Sequence, residues 1–301
     1  MSPPRYQWRL LRPGPILLDG GGMFGLIPRV VWAKLIPPDE QNRIRLAHNC
    51  LLLQNENHKI VIEVGSGDKL DPKMKQIFGI EDYYIHNAIE DAGVRCDQID
   101  HVIVSHLHFD HAGGLTRRAG KEGVKLTFPN AKVIVQRREW LDANANRSVM
   151  TRTYYRDHLD PIRERLQLVD SSEPFAAGSI VERDQLPSSA IEQRLTSVLP
   201  GIDVFLVPGH TWGQQAIKFT DDRGRTVVFT PDVVPTVHHA GAAYNLAYDV
   251  EPYMSMVTRH WFLSEAARND WLLILDHEPG NPSVRVRPDG KGWYTLSPES
   301  R

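Results

Sequence analysis

The sequence predicts an α/β protein. Short buried strands are each followed by a polar turn and then by a helix or another strand, as in HVIVS, HLHFDHAGG and KVIVQ. The same pattern returns in the last third of the chain, and polar residues gather where strands end, the place at which a rigid sheet usually displays its chemistry.

Taken in order, residues 15–35 run PILLDGGGMFGLIPRVVWAKL, where three glycines separate two apolar stretches. They mark either a hairpin turn or a place where backbone passes close to a pocket. From Ile44, IRLAHNCLLLQ and HKIVIEVG flank a turn at Asn55–Asn57 and read as a β-hairpin. Asp82 to Gly93 reads as an amphipathic helix with Ile85, Ala88, Ile89 and Ala92 on one face and Gly93 as its stop. HVIVS and KVIVQ are buried strands. Residues 137–195 are charged and helix-rich, and are expected to form a helical cap or insertion within one domain spanning 1–301. Strands are then expected in IDVFLVPGH, QQAIKFT, RTVVFTPD, WLLILDHEP and WYTLSP, with a helix from about Tyr253 to Arg268. No repeat of fixed period is present.

Composition narrows the function classes. Hydrophobic residues at 41% and charged residues at 24% give a chain able to build a solid core. A formal charge of −2 with scattered Lys and Arg leaves no footprint for nucleic acid. The nearest basic patch, Arg117, Arg118, Lys121 and Lys125, reads as a solvated loop. No stretch approaches the roughly 18 apolar residues of a membrane span, and the opening residues lack a signal-peptide core, so the expected address is the cytoplasm. Two cysteines, Cys50 and Cys96, are too few for a disulfide framework and are expected to be free and packed.

The chemistry concentrates after HVIVS. In an extended segment His106 and His108 present both imidazoles to one side, where they can share a cation. Asp110 and His111 then open a helix and turn towards a second position, helped by Gly113 and Gly114. Imidazole and carboxylate without thiolate favour a catalytic site for zinc, with manganese, iron and cobalt as alternatives, over a structural one. Three further strand ends supply His210 in PGHTWG, Asp232 after RTVVFTP and His277 after WLLILD.

In this order and at similar spacing, HLHFDH, PGHTWG and the strand ends at Asp232 and His277 resemble the metallo-β-lactamase superfamily over about residues 44–280. The resemblance implies a four-layer αββα sandwich. It also implies two divalent metal ions, with His106, His108 and His210 on the first, Asp110, His111 and His277 on the second, and Asp232 between them. Such a pair acidifies a shared water towards neutral pH, so that hydroxide attacks an electrophilic carbonyl or phosphorus; Asp110 is also available as the catalytic proton acceptor.

Within the superfamily, β-lactamases often carry cysteine where Asp232 stands, and flavodiiron proteins a carboxylate where His108 stands. Glyoxalase II adds a helical C-terminal domain, whereas only about 24 residues follow His277. What remains resembles the quorum-quenching lactonase (YtnP-like) and methyl-parathion-hydrolase-like branch, and the segment GGGMFGLIPRVVW looks most like the lactonases. The expected reaction is lactone or ester hydrolysis, with phosphotriester hydrolysis as the alternative and a mononuclear iron dioxygenase of the same fold behind it. The expected partner is a small-molecule substrate, with no nucleic acid and no membrane; a homodimer stays open.

Two positions depart from the pattern. Pro235 stands where many homoserine lactonases carry a tyrosine, leaving Tyr244, Tyr248 and His238 as substitute donors or as packing residues. Glu63 replaces the usual aspartate and is long enough to support a ligand from behind. Histidines 48, 58, 86, 101, 158, 239 and 260 read as surface or packing residues. Met23, Phe24, Leu26, Ile27, Trp32 and Trp212 read equally as a substrate wall or as core.

Overall fold

The structure, a computed structural model, describes residues 4–120, 123–150, 152–174 and 191–299. Its two main sheets follow directly from alternation along the strands. In Cys50–Gln54, Leu51 and Leu53 point to one face and Cys50 and Leu52 to the other; both faces are apolar, so both must be covered.

The first sheet orders its strands Gln7–Leu11, Cys50–Gln54, Lys59–Ile62, His101–Ile103, Lys132–Gln136 and Leu166–Val169. The second runs Thr196–Leu199, Ile202–Leu206, Gln215–Thr220, Thr226–Thr230, Leu272–Leu275, Ser283–Pro288 and Tyr294–Pro298. Between them lies one apolar layer, in which Leu51, Ile60, Ile103 and Ile134 meet Val204, Ile217, Phe229 and Ile274. Outside the first sheet, Ile85, Ala88 and Ile89 of the helix Ile85–Asp91 cover Leu52, Val61 and Val102. Outside the second, Trp261, Phe262 and Ala266 of the helix Pro252–Arg268 cover Phe205, Val228 and Leu273. This is the expected αββα sandwich.

Several elements differ in detail from the sequence expectation. IRLAHNCLLLQ is two strands, because Arg43–Leu46 pairs with Ile16–Asp19 in a separate ribbon before Cys50–Gln54 enters the first sheet. The break at Ala47–Asn49 is where the backbone N–H groups of Ala47 and Asn49 donate across to the carbonyls of His277 and Asp276, which ties the two sheets together beside the site. Within the segment expected to be helical, Arg137–Asn144 and Arg156–Leu159 are helices, but Leu166–Val169 is a strand parallel to Lys132–Gln136. Alternation over four residues is too short to distinguish it from a helical turn. Residues 175–190 of that segment lie outside the described residues.

The glycine triplet is not a hairpin turn: Gly20–Phe24 is a single helical turn capped by Asp19. Its glycines permit close approach, since a Cβ on Gly20 would meet the Trp32 ring at 2.3 Å and one on Gly22 the Tyr248 hydroxyl at 2.0 Å. Of the basic run, Arg117, Arg118 and Lys125 lie on a small hairpin, Thr116–Ala119 with Gly123–Leu126, rather than in a loop, and Lys121 lies outside the described residues. Both cysteines are buried and free. Among the described residues no helix is long and apolar enough to cross a membrane.

Candidate metal centre

Four strand ends converge on one edge of the sandwich. His106 follows His101–Ile103 through Ser105, and His108 caps the short helix Phe109–Ala112 that carries Asp110 and His111. His210, Asp232 and His277 follow Ile202–Leu206, Thr226–Thr230 and Leu272–Leu275 of the other sheet. The turn back after His111 demands glycine: a Cβ on Gly113 would lie 2.0 Å from the Ser66 carbonyl. Lys69 pins that turn, its ammonium donating to the carbonyls of Gly113 and Thr116 at 2.6 Å each.

All seven residues predicted from the sequence are buried, at 9% exposure or less. Donor atoms of His106, His108 and His210 lie within 4.8 Å of one another, and those of His111, Asp232 and His277 form a second such group. Asp110 stands beside the second group, with Oδ2 3.8 Å from His111 Nε2 and 3.6 Å from His277 Nε2. Asp232 lies between the groups. Its Oδ2 is 3.1 Å from His210 Nε2, 3.6 Å from His106 Nε2 and 3.4 Å from His111 Nε2, while its Oδ1 is 3.5 Å from His277 Nε2.

These residues fit divalent cations on the chemistry of their donors. His108 Nδ1 and His210 Nε2 approach to 3.0 Å, and His111 Nε2 and His277 Nε2 to 3.3 Å. His106 Nε2 and Asp232 Oδ1 are enclosed without a hydrogen-bond partner among the described residues. Lone pairs gathered this way in a buried space are costly unless a cation or proton stands among them. Burial, together with the neighbouring imidazoles, pushes His106 and His108 well below the ordinary histidine range, which keeps both neutral. Burial alone would raise Asp232, but His210, His277 and His111 outweigh it and hold the carboxylate well below its usual range.

The far nitrogens of four imidazoles are fixed from behind, as metal-binding histidines require. Ser105 Oγ sits 3.0 Å from His106 Nδ1, Asp249 holds His210 Nδ1 at 3.0 Å, and the Ala47 carbonyl holds His277 Nδ1 at 2.9 Å. Glu63 holds His111 Nδ1 at 2.8 Å with one oxygen and accepts the Ser105 N–H with the other. Its backbone sits at φ 63°, a region that costs a non-glycine residue on the order of 1 kcal/mol, and these two buried bonds hold it there. Glu63→Gln keeps the shape but removes the charge facing His111. Metal affinity of the second group is expected to fall about 10- to 100-fold, read by competition with a chromogenic chelator; unchanged affinity would reduce Glu63 to a packing residue.

Two buried acids were missed in the sequence. Asp276 joins the group of His111, Asp232 and His277, and neither of its oxygens has a hydrogen-bond partner among the described residues. Burial and then Asp232 push its carboxyl well above the usual range. Its place beside His277 in WLLILDH was the only signal, and a strand-end aspartate is ordinary. Glu139, in the first turn of Arg137–Asn144, accepts from the Leu107 N–H at 2.9 Å and the Thr211 hydroxyl at 2.6 Å. It therefore joins the loop of His106 and His108 to that of His210.

Of the apolar candidates only Met23 lines the pocket above the site, together with Leu18, Phe78, Phe109, Met150 and Leu246. Phe24 and Trp32 stack on each other behind it as core. Leu26 is 94% exposed, Ile27 packs at the edge of that core, and Trp212 donates to Glu251 beneath Arg138. Among the substitute donors Tyr248 lines the pocket, Tyr244 packs edge-on against Phe24, and His238 is half-buried with Glu278 as its charged neighbour.

An αββα sandwich with seven such residues at one sheet edge defines a metal-dependent hydrolase. Residues 43–277 match the Metallo-beta-lactamase superfamily, and the chain belongs to that family. It is 25% identical over 259 residues to an N-acyl homoserine lactonase of Bacillus thuringiensis, covering 80% of this chain and 85% of that one. An N-acyl homoserine lactonase of Bacillus cereus is 24% identical over 207 residues, or 64% and 65% of the two chains. Among solved structures, a probable metal-dependent hydrolase from Staphylococcus aureus superimposes over 100% of both chains with TM-score 0.78 and 25% identity. A dizinc quorum-quenching lactonase in complex with a product shares the fold at TM-score 0.73 and 18% identity, over 100% of this chain and 97% of that one.

Proposed function

We propose that the chain is a dinuclear hydrolase of lactones with an apolar substituent, the N-acyl homoserine lactones among them. His106, His108 and His210 would hold one divalent ion such as zinc, and Asp110, His111 and His277 the other, with Asp232 available to both. The observation that carries this reading is the position of Asp232, whose two oxygens face imidazoles of both groups at 3.1–3.6 Å. Two such ions supply Lewis acidity and a nucleophile derived from water at neutral pH.

The chain's own residues supply the rest. Leu18, Met23, Phe78 and Leu246 form an apolar wall over a polar floor, which orients a molecule with one apolar and one reactive end and keeps bulk water away. Asp110 reaches the pocket beside His277 and takes up the proton released from the nucleophile. Tyr248 reaches it from the loop before Pro252–Arg268 and offers a hydroxyl to an oxygen of the substrate, in place of the tyrosine that Pro235 displaces. The named activity of the two bacterial relatives supports the substrate class.

The test is a turnover panel on zinc-loaded protein, with acyl lactones, aryl phosphotriesters, sulfate esters and β-lactams measured side by side. Lactones are expected to give the highest kcat/KM and a preference for longer acyl chains. Phosphotriester cleavage with lactones untouched would replace the substrate while leaving the metal centre intact.

A further inference from the structure

The strands Lys59–Ile62 and His101–Ile103 run parallel, with Glu63 and Ser105–His106 at their C-terminal ends and a second cluster at their N-terminal ends. There His58, Asp100 and His101 bring two imidazoles and a carboxylate within 4.8 Å of one another. We propose that these three residues form a further site for a divalent transition metal of the zinc class, separate from the catalytic centre.

The donors are set in place by main-chain bonds. Asn55 Oδ1 accepts the His58 N–H at 2.8 Å, and Asp100 Oδ2 accepts the Lys59 N–H at 3.0 Å. The Asp100 backbone itself bonds to Lys59 on one side and Lys132 on the other, at 3.0 and 2.9 Å. Asp100 Oδ1 is 2.7 Å from His101 Nδ1, which an ordinary ion pair would explain. His58 pairs with the same carboxylate more loosely. Its Nδ1 is enclosed without a hydrogen-bond partner among the described residues, and stands 3.5 Å from Asp100 Oδ2, beyond the length of a good hydrogen bond.

The two rings meet edge-to-face, as two pairs of the catalytic cluster do, with centroids 5.7 Å apart against 4.5 and 4.8 Å there. His58 and His101 meet at 72°, compared with 76° for His106 with His108 and 75° for His108 with His210. Two imidazoles and one carboxylate make a three-donor set suited to zinc, cobalt, nickel or copper, with water completing the shell. Partial exposure, 25% for His58 and 37% for Asp100, leaves a path for the ion to enter. From His101 to His106 the chain advances about 15 Å, so the two sites do not share ligands. An ion here would tie the hairpin end at His58 to the neighbouring strand and so stabilise the folded chain by mass action.

The experiment dialyses the holoprotein against low-micromolar free zinc and counts metal per chain for wild type, His58→Ala and His101→Ala, with Asp100→Asn as a variant that preserves shape. Each variant is expected to bind one zinc fewer than wild type with turnover unchanged, and added zinc should raise the melting temperature of wild type more than that of any variant. The difference between chains is what is read, so the result holds whether the catalytic centre carries two ions or one. Equal zinc counts in all four proteins, or a lost equivalent accompanied by lost turnover, would overturn the proposal.

Discussion

Asp232→Asn is expected to cut hydrolysis and metal loading together. The native carboxylate faces His210, His106 and His111 with one oxygen and His277 with the other, so it neutralises charge at both groups at once. Asparagine retains a single acceptor oxygen and no charge, and its NH2 would point at imidazole nitrogens that must keep their lone pairs free. Removing the one anion shared by the two proposed cation sites would cost several kcal/mol. Turnover should therefore fall on the order of 10³-fold, and elemental analysis should find fewer than half of the wild-type metal equivalents. Wild-type turnover in the variant would sink the dinuclear reading, whereas lost turnover with full metal content would leave Asp232 a role in the reaction but none in holding the ions.

Glu139→Ala should show the largest loss of stability among single changes outside that centre. The Glu139 side chain is fully buried and does not line the pocket above the site. It nevertheless bonds the Leu107 N–H, the Thr211 hydroxyl and, at 3.3 Å, the Tyr154 hydroxyl. Alanine would strand these donors in a dry interior at about 1–3 kcal/mol each and leave a cavity besides, for a total of at least about 3 kcal/mol in urea unfolding. The helix that carries Glu139 also packs so closely on the PGHTWG loop that a Cβ on Gly213 would stand 2.3 Å from the Glu139 backbone nitrogen. Loss of the clamp should thus loosen His108 and His210 relative to each other, weakening metal retention by the first group before the second. Glu139→Gln, which keeps one acceptor, should recover most of the stability. A midpoint of unfolding unchanged in Glu139→Ala would contradict the clamp.

The two predictions differ in how visible their residues were. Asp232 follows a strand whose apolar run is plain in RTVVFTP, and the spacing of His106, His108, Asp110 and His111 is short enough for local geometry to bring them together. The burial of Ile85, Ala88 and Ile89 was legible for the same reason, since a helical face repeats within a few residues. The single long strand read from IRLAHNCLLLQ was broken by something outside it: Ala47 and Asn49 donate to carbonyls more than 220 residues away. Leu166–Val169 likewise became a strand because Lys132–Gln136 offered a free parallel edge.

The site divides along the same line. Sequence alone picked out the candidate ligands and placed them where strands end, because hydrophobic period and donor type are local properties. Only the tertiary structure decided that Asp232 faces both groups, that Asp276 and Glu139 are buried beside them, that Tyr248 rather than Tyr244 reaches the pocket, and that His58 meets His101. Each of these depends on where separate strands come to rest against one another, and burial of a polar group acquires meaning only once its neighbours across the fold are known.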